Sequence, residues 1–138
     1  MNTPVQRLLP QPTPETEHFW TGLTRRELLL QQCEACQHVY FPPRPFCPEC
    51  ASQSIRILKS SGKARLMSYI ISARPAPGIE APYVVAIVEL EEGVRMMTNI
   101  VGVPPDPEHL VLDMPLKVVF EQVTEECTLP LFAPEDRQ

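Results

Sequence analysis

Apolar and polar residues alternate along most of the chain after residue 54, and a period of two is typical of half-buried β-strands. Lys63–Ser72 alternates throughout, whereas Tyr83–Leu90 is almost continuously apolar and predicts a well-buried strand. Ser60-Ser61-Gly62 and Glu91-Glu92-Gly93 have the composition of turns. The predicted strands are Ser54–Lys59, Lys63–Ser72, Tyr83–Leu90, Val94–Val101 and Leu116–Val123.

Two proline-rich stretches interrupt these strands. Arg74–Pro82 is predicted to be a loop, and Gly102–Met114 is a connection whose middle, 107–111, predicts a helical turn. Five or so short strands with one small helical connection indicate a mainly β protein with a small closed barrel of the OB type.

The first part of the chain has a different pattern, in which a short helix follows an extended arm at 1–12. Thr13-Pro14-Glu15 combines an N-cap residue, a proline at the first helical position and an acid in the first turn. Gly22 predicts the end of this helix. Phe19 and Trp20 lie on its apolar face and are expected either in the core or as an anchor on another subunit.

A hairpin is predicted after the helix. Glu27–Gln32 favours a strand because a cysteine pair follows it at once, and His38–Phe41 is the expected return arm, ended by Pro42-Pro43.

Composition limits the class of protein. The 138 residues predict one domain or two small lobes, and 17 of them are proline, against a usual frequency of about 5%. Prolines favour short strands and extended connections. No apolar run approaches the roughly 18 residues of a membrane-spanning helix, and the N-terminus lacks a signal-peptide pattern. We therefore expect a cytoplasmic protein with reduced thiols and no membrane partner.

Charge is distributed unevenly along the chain. Residues 1–79 carry nine basic and five acidic side chains, whereas residues 80–138 carry three basic and twelve acidic ones. No acidic residue occurs between Ala51 and Ile79. This acid-free stretch fits either a solvated strand face or a contact for an anionic ligand or an acidic partner. Its basic residues are Arg56, Lys59, Lys63, Arg65 and Arg74.

Four cysteines carry the strongest chemical signal. Cys33-x2-Cys36 and Cys47-x2-Cys50 stand ten residues apart, as two knuckles that supply four thiolates to one tetrahedral ion. Free thiols or two disulfides are the alternatives, and a rubredoxin-like iron site is a further one. Zinc is favoured, and with four protein ligands it is structural because no position is left for water or substrate.

No catalytic group is predicted elsewhere. Cys127 follows Glu125 and Glu126, whose carboxylates disfavour a reactive thiolate. His18, His38 and His109 are scattered without a recognisable partner spacing.

Short motifs recur along most of the chain and include Phe19-Trp20-x-Gly22, Glu27-Leu28, Cys33-x2-Cys36, Phe41-Pro42-Pro43-Arg44, Cys47-Pro48-x-Cys50, Pro82-Tyr83-Val84-Val85-Ala86 and Leu129-Pro130-x-Phe132. Taken together, these motifs resemble the DUF35 family over residues 15 to 134. Members join an N-terminal helix and a rubredoxin-like zinc ribbon to a C-terminal five-stranded OB-fold. The implied division is 1–26 for the arm and helix, 27–54 for the ribbon, 55–126 for the OB-fold and 127–138 for a C-terminal tail.

The chain departs from the family pattern in three places. Gln37 and Ala51 stand where glycine usually follows each cysteine pair. Because glycine favours the left-handed backbone of such turns, the geometry of these two turns is expected to differ from the family pattern. Aliphatic residues around Ile57 replace a usual aromatic, and Phe132-Ala133-Pro134 lacks the arginine of the usual C-terminal motif.

The resemblance implies a non-catalytic subunit that bridges or completes a thiolase-like or ketoacyl-synthase-like enzyme in a hetero-oligomer. Such enzymes include thiolases, hydroxymethylglutaryl-CoA synthases, steroid side-chain aldolases and phloroglucinol acyltransferase. Phe19, Trp20 and Arg44 are the expected partner contacts, and the basic stretch Arg56–Arg74 is the expected contact with an anion or acyl-CoA. A nucleic-acid-binding module is the alternative, which a net charge of −5 disfavours.

Overall fold

A computed structural model describes residues 9–135 and is mainly β, as the alternating pattern predicts. Within this range it has a single helix, α1 (Glu17–Thr24), and eight strands. These are β1 (Leu29–Cys33), β2 (Val39–Tyr40), β3 (Ile55–Lys59), β4 (Lys63–Ser72), β5 (Tyr83–Leu90), β6 (Arg95–Ile100), β7 (Pro115–Gln122) and β8 (Thr128–Pro134).

The strands form two sheets. A three-stranded antiparallel sheet has the order β2-β1-β3, and a five-stranded closed barrel has the order β4-β5-β6-β8-β7. Four barrel pairings are antiparallel, whereas β6 and β8 run parallel and pair only at Ile100 and Phe132. A bulge between Leu66 and Ser68 bends β4, as such closure requires. The expected OB-type barrel is confirmed.

Two segments lie elsewhere than the sequence-based division placed them. β3 pairs along its length with β1, so residues 55–59 belong to the ribbon sheet and not to the barrel. β8 lies in the stretch predicted as a C-terminal tail, yet it pairs with β7 from Leu116↔Pro134 to Gln122↔Thr128 and closes the barrel. The Leu129–Pro134 run is short and contains two prolines, which obscures its strand character.

The helix and the long connection also differ from expectation. Thr13 begins a turn in which its carbonyl accepts the N–H groups of Thr16 and Glu17, so the helix starts three residues late. Gly22 lies inside the helix and does not end it. The absence of a side chain at this position leaves room for Leu29 of β1. The 102–114 connection contains turns at 107–109 and 112–113 and no helix. No helix in the described range is long and apolar enough to span a membrane.

One continuous core joins the helix, the ribbon and the barrel. Its members include Phe19 and Leu23 of α1, Leu30 of β1, and Leu66 and Phe132 of the barrel, all 3% exposed or less. α1 contacts β1 on one side and β7 and β8 on the other. Because each fully buried Leu or Phe contributes about 1.5–3 kcal/mol, the two lobes stabilise each other through this shared interior.

A network of carboxylates fixes the turn between the two lobes. Glu92 accepts the hydroxyl of Ser60 at 2.7 Å and the N–H of Ser61 at 2.8 Å, and Glu91 accepts the Ser61 hydroxyl at 2.6 Å. The β5–β6 hairpin turn is thereby tied to the turn that joins β3 to β4.

We predict that Gly62→Ala destabilises the protein by about 2–3 kcal/mol, because two costs add there. Gly62 has a left-handed backbone with φ of +82°, and an added Cβ would lie 2.7 Å from Val118 Cγ1. Gly93→Ala is the matched control, since Gly93 has φ of +89° but nothing within 4 Å of an added Cβ. It is expected to cost only about 1 kcal/mol. Urea unfolding of both variants measures the difference, and equal losses would contradict the role of Val118.

Candidate metal centre

Two turns of the same design position the four cysteines. Cys33 ends β1, and its carbonyl accepts the N–H of Gln37 at 2.9 Å. The Cys47 carbonyl accepts the N–H of Ala51, also at 2.9 Å. The first turn closes the β1–β2 hairpin, and the second precedes β3, so the ribbon sheet holds the two turns face to face.

The residues after each cysteine pair retain the left-handed backbone that glycine usually supplies. Gln37 has φ of 67° and Ala51 has φ of 64°. A left-handed conformation costs a non-glycine residue roughly 1–2 kcal/mol. The Gln37 side chain recovers part of this cost by donating from Nε2 to the Glu34 carbonyl at 3.0 Å. The missing glycines therefore affect the stability of the turns without displacing the ligands.

The four sulfur atoms converge on one point. Cys33 Sγ lies 3.5 Å from Cys50 Sγ, Cys36 Sγ lies 3.6 Å from Cys47 Sγ, and all four lie within 4.8 Å of one another. Zinc–sulfur bonds of about 2.3 Å in a tetrahedron separate the sulfurs by about 3.8 Å, whereas disulfide sulfurs lie about 2.05 Å apart. The cysteines are thus positioned to bind a metal ion, and they are not disulfide-bonded.

Backbone N–H groups point at the sulfurs. Those of Cys36 and Ala35 donate to Cys33 Sγ at 3.4 and 3.3 Å and lower the pKa of Cys33 to about 6. The N–H of His38 lowers the pKa of Cys36, but desolvation and the neighbouring sulfurs outweigh it and raise that pKa to about 12. Four thiolates cannot share this volume without a cation to offset their repulsion.

No histidine or carboxylate joins the cysteine cluster within residues 9–135. His38 stacks on Tyr40 with its Nε2 3.9 Å from Glu49 Oε1, and His109 Nδ1 lies 2.6 Å from Asp106 Oδ1 in an exposed loop. Burial lowers the pKa of His18, whose Nε2 has no hydrogen-bond partner. Cys127 lies in the turn between β7 and β8 and donates its N–H to Thr124 Oγ1 at 2.9 Å.

The expected partner contacts differ in accessibility. Phe19 is 3% exposed and lies in the shared core, so little of its ring is open to a partner. Its ring packs against Phe41, with centroids 5.0 Å apart, and edge-to-face against Trp20 at 5.1 Å. Trp20 is half-buried. Arg44 is exposed, and its N–H donates to Gln31 Oε1 at 2.7 Å.

An apolar cleft of about 420 Å³ is lined by α1, the ribbon, β6 and β8, a feature that sequence reasoning missed. Trp20 of α1 and Phe41-Pro42-Pro43 of the ribbon line one side, and Met97 of β6 and Pro130 of β8 line the other. Thr98 and Pro130 both line the cleft, and the Thr98 hydroxyl donates to the Pro130 carbonyl at 3.1 Å, which links β6 to β8. The cleft was missed because β8, which forms part of its lining, was predicted to be a C-terminal tail.

The basic stretch does not form one patch. Arg56 and Lys59 lie on β3 in the ribbon sheet, whereas Lys63 and Arg65 lie at the start of β4 in the barrel. Arg74 lies beyond the far end of β4, so the whole ten-residue strand separates it from Lys63.

Three of the five basic side chains already have polar partners. Arg56 donates to Gln32 Oε1 at 2.9 Å. Lys59 Nζ lies 3.7 Å from Glu27 Oε2, and Arg65 lies 3.2 Å from Asp113 Oδ2. Lys63 faces Lys117 across the β4–β7 pairing.

Two family models match the chain. The model for the ChsH2 rubredoxin-like zinc ribbon domain matches residues 20–56, and the model for the ChsH2 C-terminal OB-fold domain matches residues 59–121. They meet inside β3, next to the turn that Glu91 and Glu92 bind.

Several known proteins are similar in sequence. A DUF35 domain-containing scaffold protein of Methanothermobacter thermautotrophicus is 40% identical over 81% of this chain and 86% of that protein. A probable enoyl-CoA hydratase alpha subunit of Thermomonospora curvata is 38% identical over 92% of this chain, which spans only 40% of that subunit's length. A weaker similarity, 25% over 53% of this chain and 51% of that protein, is to the benzoylsuccinyl-CoA thiolase subunit BbsA of Thauera aromatica.

A solved structure named Ltp2-ChsH2(DUF35) aldolase is similar in fold. Its TM-score is 0.83 at 35% identity, and the similarity covers 91% of this chain and 98% of that one. The agreement therefore extends over helix, ribbon and barrel together.

We predict that Ala51→Gly stabilises the metal-loaded protein by about 1 kcal/mol, because it removes the strain of a left-handed alanine. Ala35→Gly is the matched control. Ala35 does not have a positive φ, so glycine relieves no strain there. Glycine would keep the N–H that donates to Cys33 Sγ, and this change is therefore expected to be neutral or destabilising. Thermal melting of both variants tests this, and a lower melting temperature for Ala51→Gly would contradict it.

Proposed function

Because this chain belongs to the DUF35 family, we propose that it is a non-catalytic, zinc-binding scaffold subunit of an enzyme complex that acts on CoA thioesters. We propose a thiolase-like or ketoacyl-synthase-like protein as its partner in a hetero-oligomer. The observation that carries the proposal is the match over nearly the full length of both chains to a DUF35 protein of an aldolase.

The metal centre supports a scaffold in preference to a catalyst. Four cysteines fill a tetrahedral shell, so the ion offers no open position to water or substrate. Its chemistry is the neutralisation of four thiolates, while Cys33, Cys36, Cys47 and Cys50 hold the two ribbon turns together. Zinc suits this set, and iron is the competing ion because tetrahedral sulfur ligands accept both.

The relatives support CoA-thioester chemistry as the class and leave the reaction to the partner. One is named as part of an enoyl-CoA hydratase and another as part of a CoA thiolase. This chain spans 40% of the hydratase subunit, so that protein's activity does not transfer to it. A nucleic-acid-binding role is not favoured, since the basic residues are dispersed and the net charge is −5.

The partner surface is proposed at the mouth of the apolar cleft. Trp20 lies there, half-buried against Phe19, and Phe41-Pro42-Pro43 leads from the cleft to exposed Arg44. Aromatic and arginine side chains at the rim of an apolar cleft are typical binding anchors. Contact with CoA phosphates is proposed for Lys63 and Arg65 at the start of β4, outside the cleft lining. The reduced thiols favour a cytoplasmic location.

We predict about one zinc ion per chain in protein purified without added metal, because a closed four-thiolate site binds zinc tightly. Elemental analysis measures the content. Cys47→Ser removes a buried ligand and is expected to lose the ion and unfold the ribbon, whereas Cys127→Ser should keep a full complement. A metal-free wild-type chain, or iron in place of zinc, would contradict this prediction.

We predict that the full chain co-purifies with a thiolase-like protein from its native host, and that the isolated chain does not turn over acyl-CoA substrates. Trp20→Ala should weaken this assembly at least about tenfold, as truncation of an anchor costs about 2 kcal/mol. Light scattering of the mixed proteins measures assembly, and a thermal melt of the variant alone measures its own stability.

The matched control is Phe46→Ala, which truncates an aromatic residue that is 46% exposed in the ribbon, outside the cleft lining. It should leave assembly unchanged. If Trp20→Ala loses thermal stability yet assembles normally, Trp20 serves only the core of this chain. Turnover by the isolated chain would overturn the scaffold role itself.

A further inference from the structure

The metal centre has a protected side and an open side. Cys33 and Cys47 are 0% and 1% exposed, whereas Cys36 and Cys50 are exposed to solvent. Each turn therefore places its first cysteine in the interior and its second at the surface. A reagent dissolved in water meets the cluster at Cys36 and Cys50.

Each exposed sulfur lies against a buried sulfur of the opposite turn. Cys36 Sγ is 3.6 Å from Cys47 Sγ, and Cys50 Sγ is 3.5 Å from Cys33 Sγ. From this arrangement we propose that the cluster is a peroxide-sensitive modification site. Cys36 and Cys50 are oxidised first, and Cys47 and Cys33 complete disulfides that cross from one turn to the other.

The chemistry takes two electrons from sulfur for each peroxide consumed. The Cys36 thiolate attacks hydrogen peroxide, the O–O bond breaks, hydroxide leaves and the sulfur becomes a sulfenic acid. The Cys47 thiolate then attacks that sulfur, the S–S bond forms and a second hydroxide leaves. The same two steps join Cys50 to Cys33. Loss of thiolates leaves the cation with too few ligands, and it departs with its oxidation state unchanged when it is zinc.

Oxidation at the cluster reaches the partner surface through aromatic contacts. The ribbon holds Phe41 against Phe19, which in turn packs on Trp20. Because a ribbon of this size depends on its ion, metal loss loosens the Phe41 contact and exposes Trp20. Trp20 is the only tryptophan of the chain, so tryptophan emission reports on the surroundings of this residue.

The test uses the unchanged, metal-loaded full chain treated with hydrogen peroxide. Metal release is followed with a chromogenic chelator, and Trp20 emission is recorded in parallel. Peptides cut after glutamate then separate the alternatives, since Glu34 and Glu49 divide the four cysteines among segments 28–34, 35–49 and 50–80. Cys127 falls in a different segment, after Glu126, and does not confuse the pairing.

The expected result is metal release with a red shift of Trp20 emission. Segment 28–34 is expected to be joined to 50–80 through Cys33 and Cys50, and segment 35–49 to be closed internally through Cys36 and Cys47. Disulfides within each turn would instead join 28–34 to 35–49, or 35–49 to 50–80, and would overturn the proposal. Metal retained under millimolar peroxide would overturn it as well.

Alkylation with iodoacetamide gives an independent measure. In the singly modified fraction, label on Cys36 or Cys50 is expected to exceed label on Cys33 or Cys47 at least about tenfold, because reaction follows exposure of the thiolate. Equal labelling contradicts the two-sided site. The inference rests on the proposed metal content, so elemental analysis before treatment separates failure of that proposal from failure of this one.

Discussion

The convergence of four cysteine sulfurs within 4.8 Å is the constraint on which the ribbon depends. Thiolates at this spacing repel one another, and the opposed pKa values of Cys33 and Cys36 reflect that competition. A cation converts the repulsion into attraction and fixes both turns at once. With the turns fixed, the three-stranded sheet has a defined shape, although its strand β2 has only two residues.

The fixed ribbon in turn positions the rest of the molecule. Phe41 leaves β2 and packs on Phe19, which places α1 between the ribbon and the barrel. The carboxylates of Glu91 and Glu92 tie the linking turn to a barrel hairpin. The two lobes therefore form one core, and neither is large enough to bury a substantial core by itself.

The barrel combines closure with an opening. β8 completes the barrel, but its parallel pairing with β6 holds at a single pair, Ile100 and Phe132, in the described range. Both strands also line an apolar cleft, together with Trp20 and the ribbon. A scaffold that presents both lobes to one partner is consistent with this arrangement, since the cleft exists only where helix, ribbon and barrel meet.

The sequence by itself determined the local features of this protein. The two Cys-x2-Cys pairs identified the ligands. Alternation identified β4, and apolar runs on either side of the Glu91-Glu92-Gly93 turn identified β5 and β6 almost to the residue. The motifs of residues 15 to 134 also indicated the family and therefore the order of the lobes.

Tertiary structure decided the features that depend on distant pairing. The sequence of β3 does not show that it pairs with β1. The prolines of β8 obscure its strand character, and the strand becomes evident only from its pairing with β7, which closes the barrel. Phe19 has the same local pattern whether it anchors a partner or fills a core, and its burial became clear only once Phe41 and β1 packed against it. The basic stretch is continuous in sequence, but a ten-residue strand carries its members to opposite ends of the barrel.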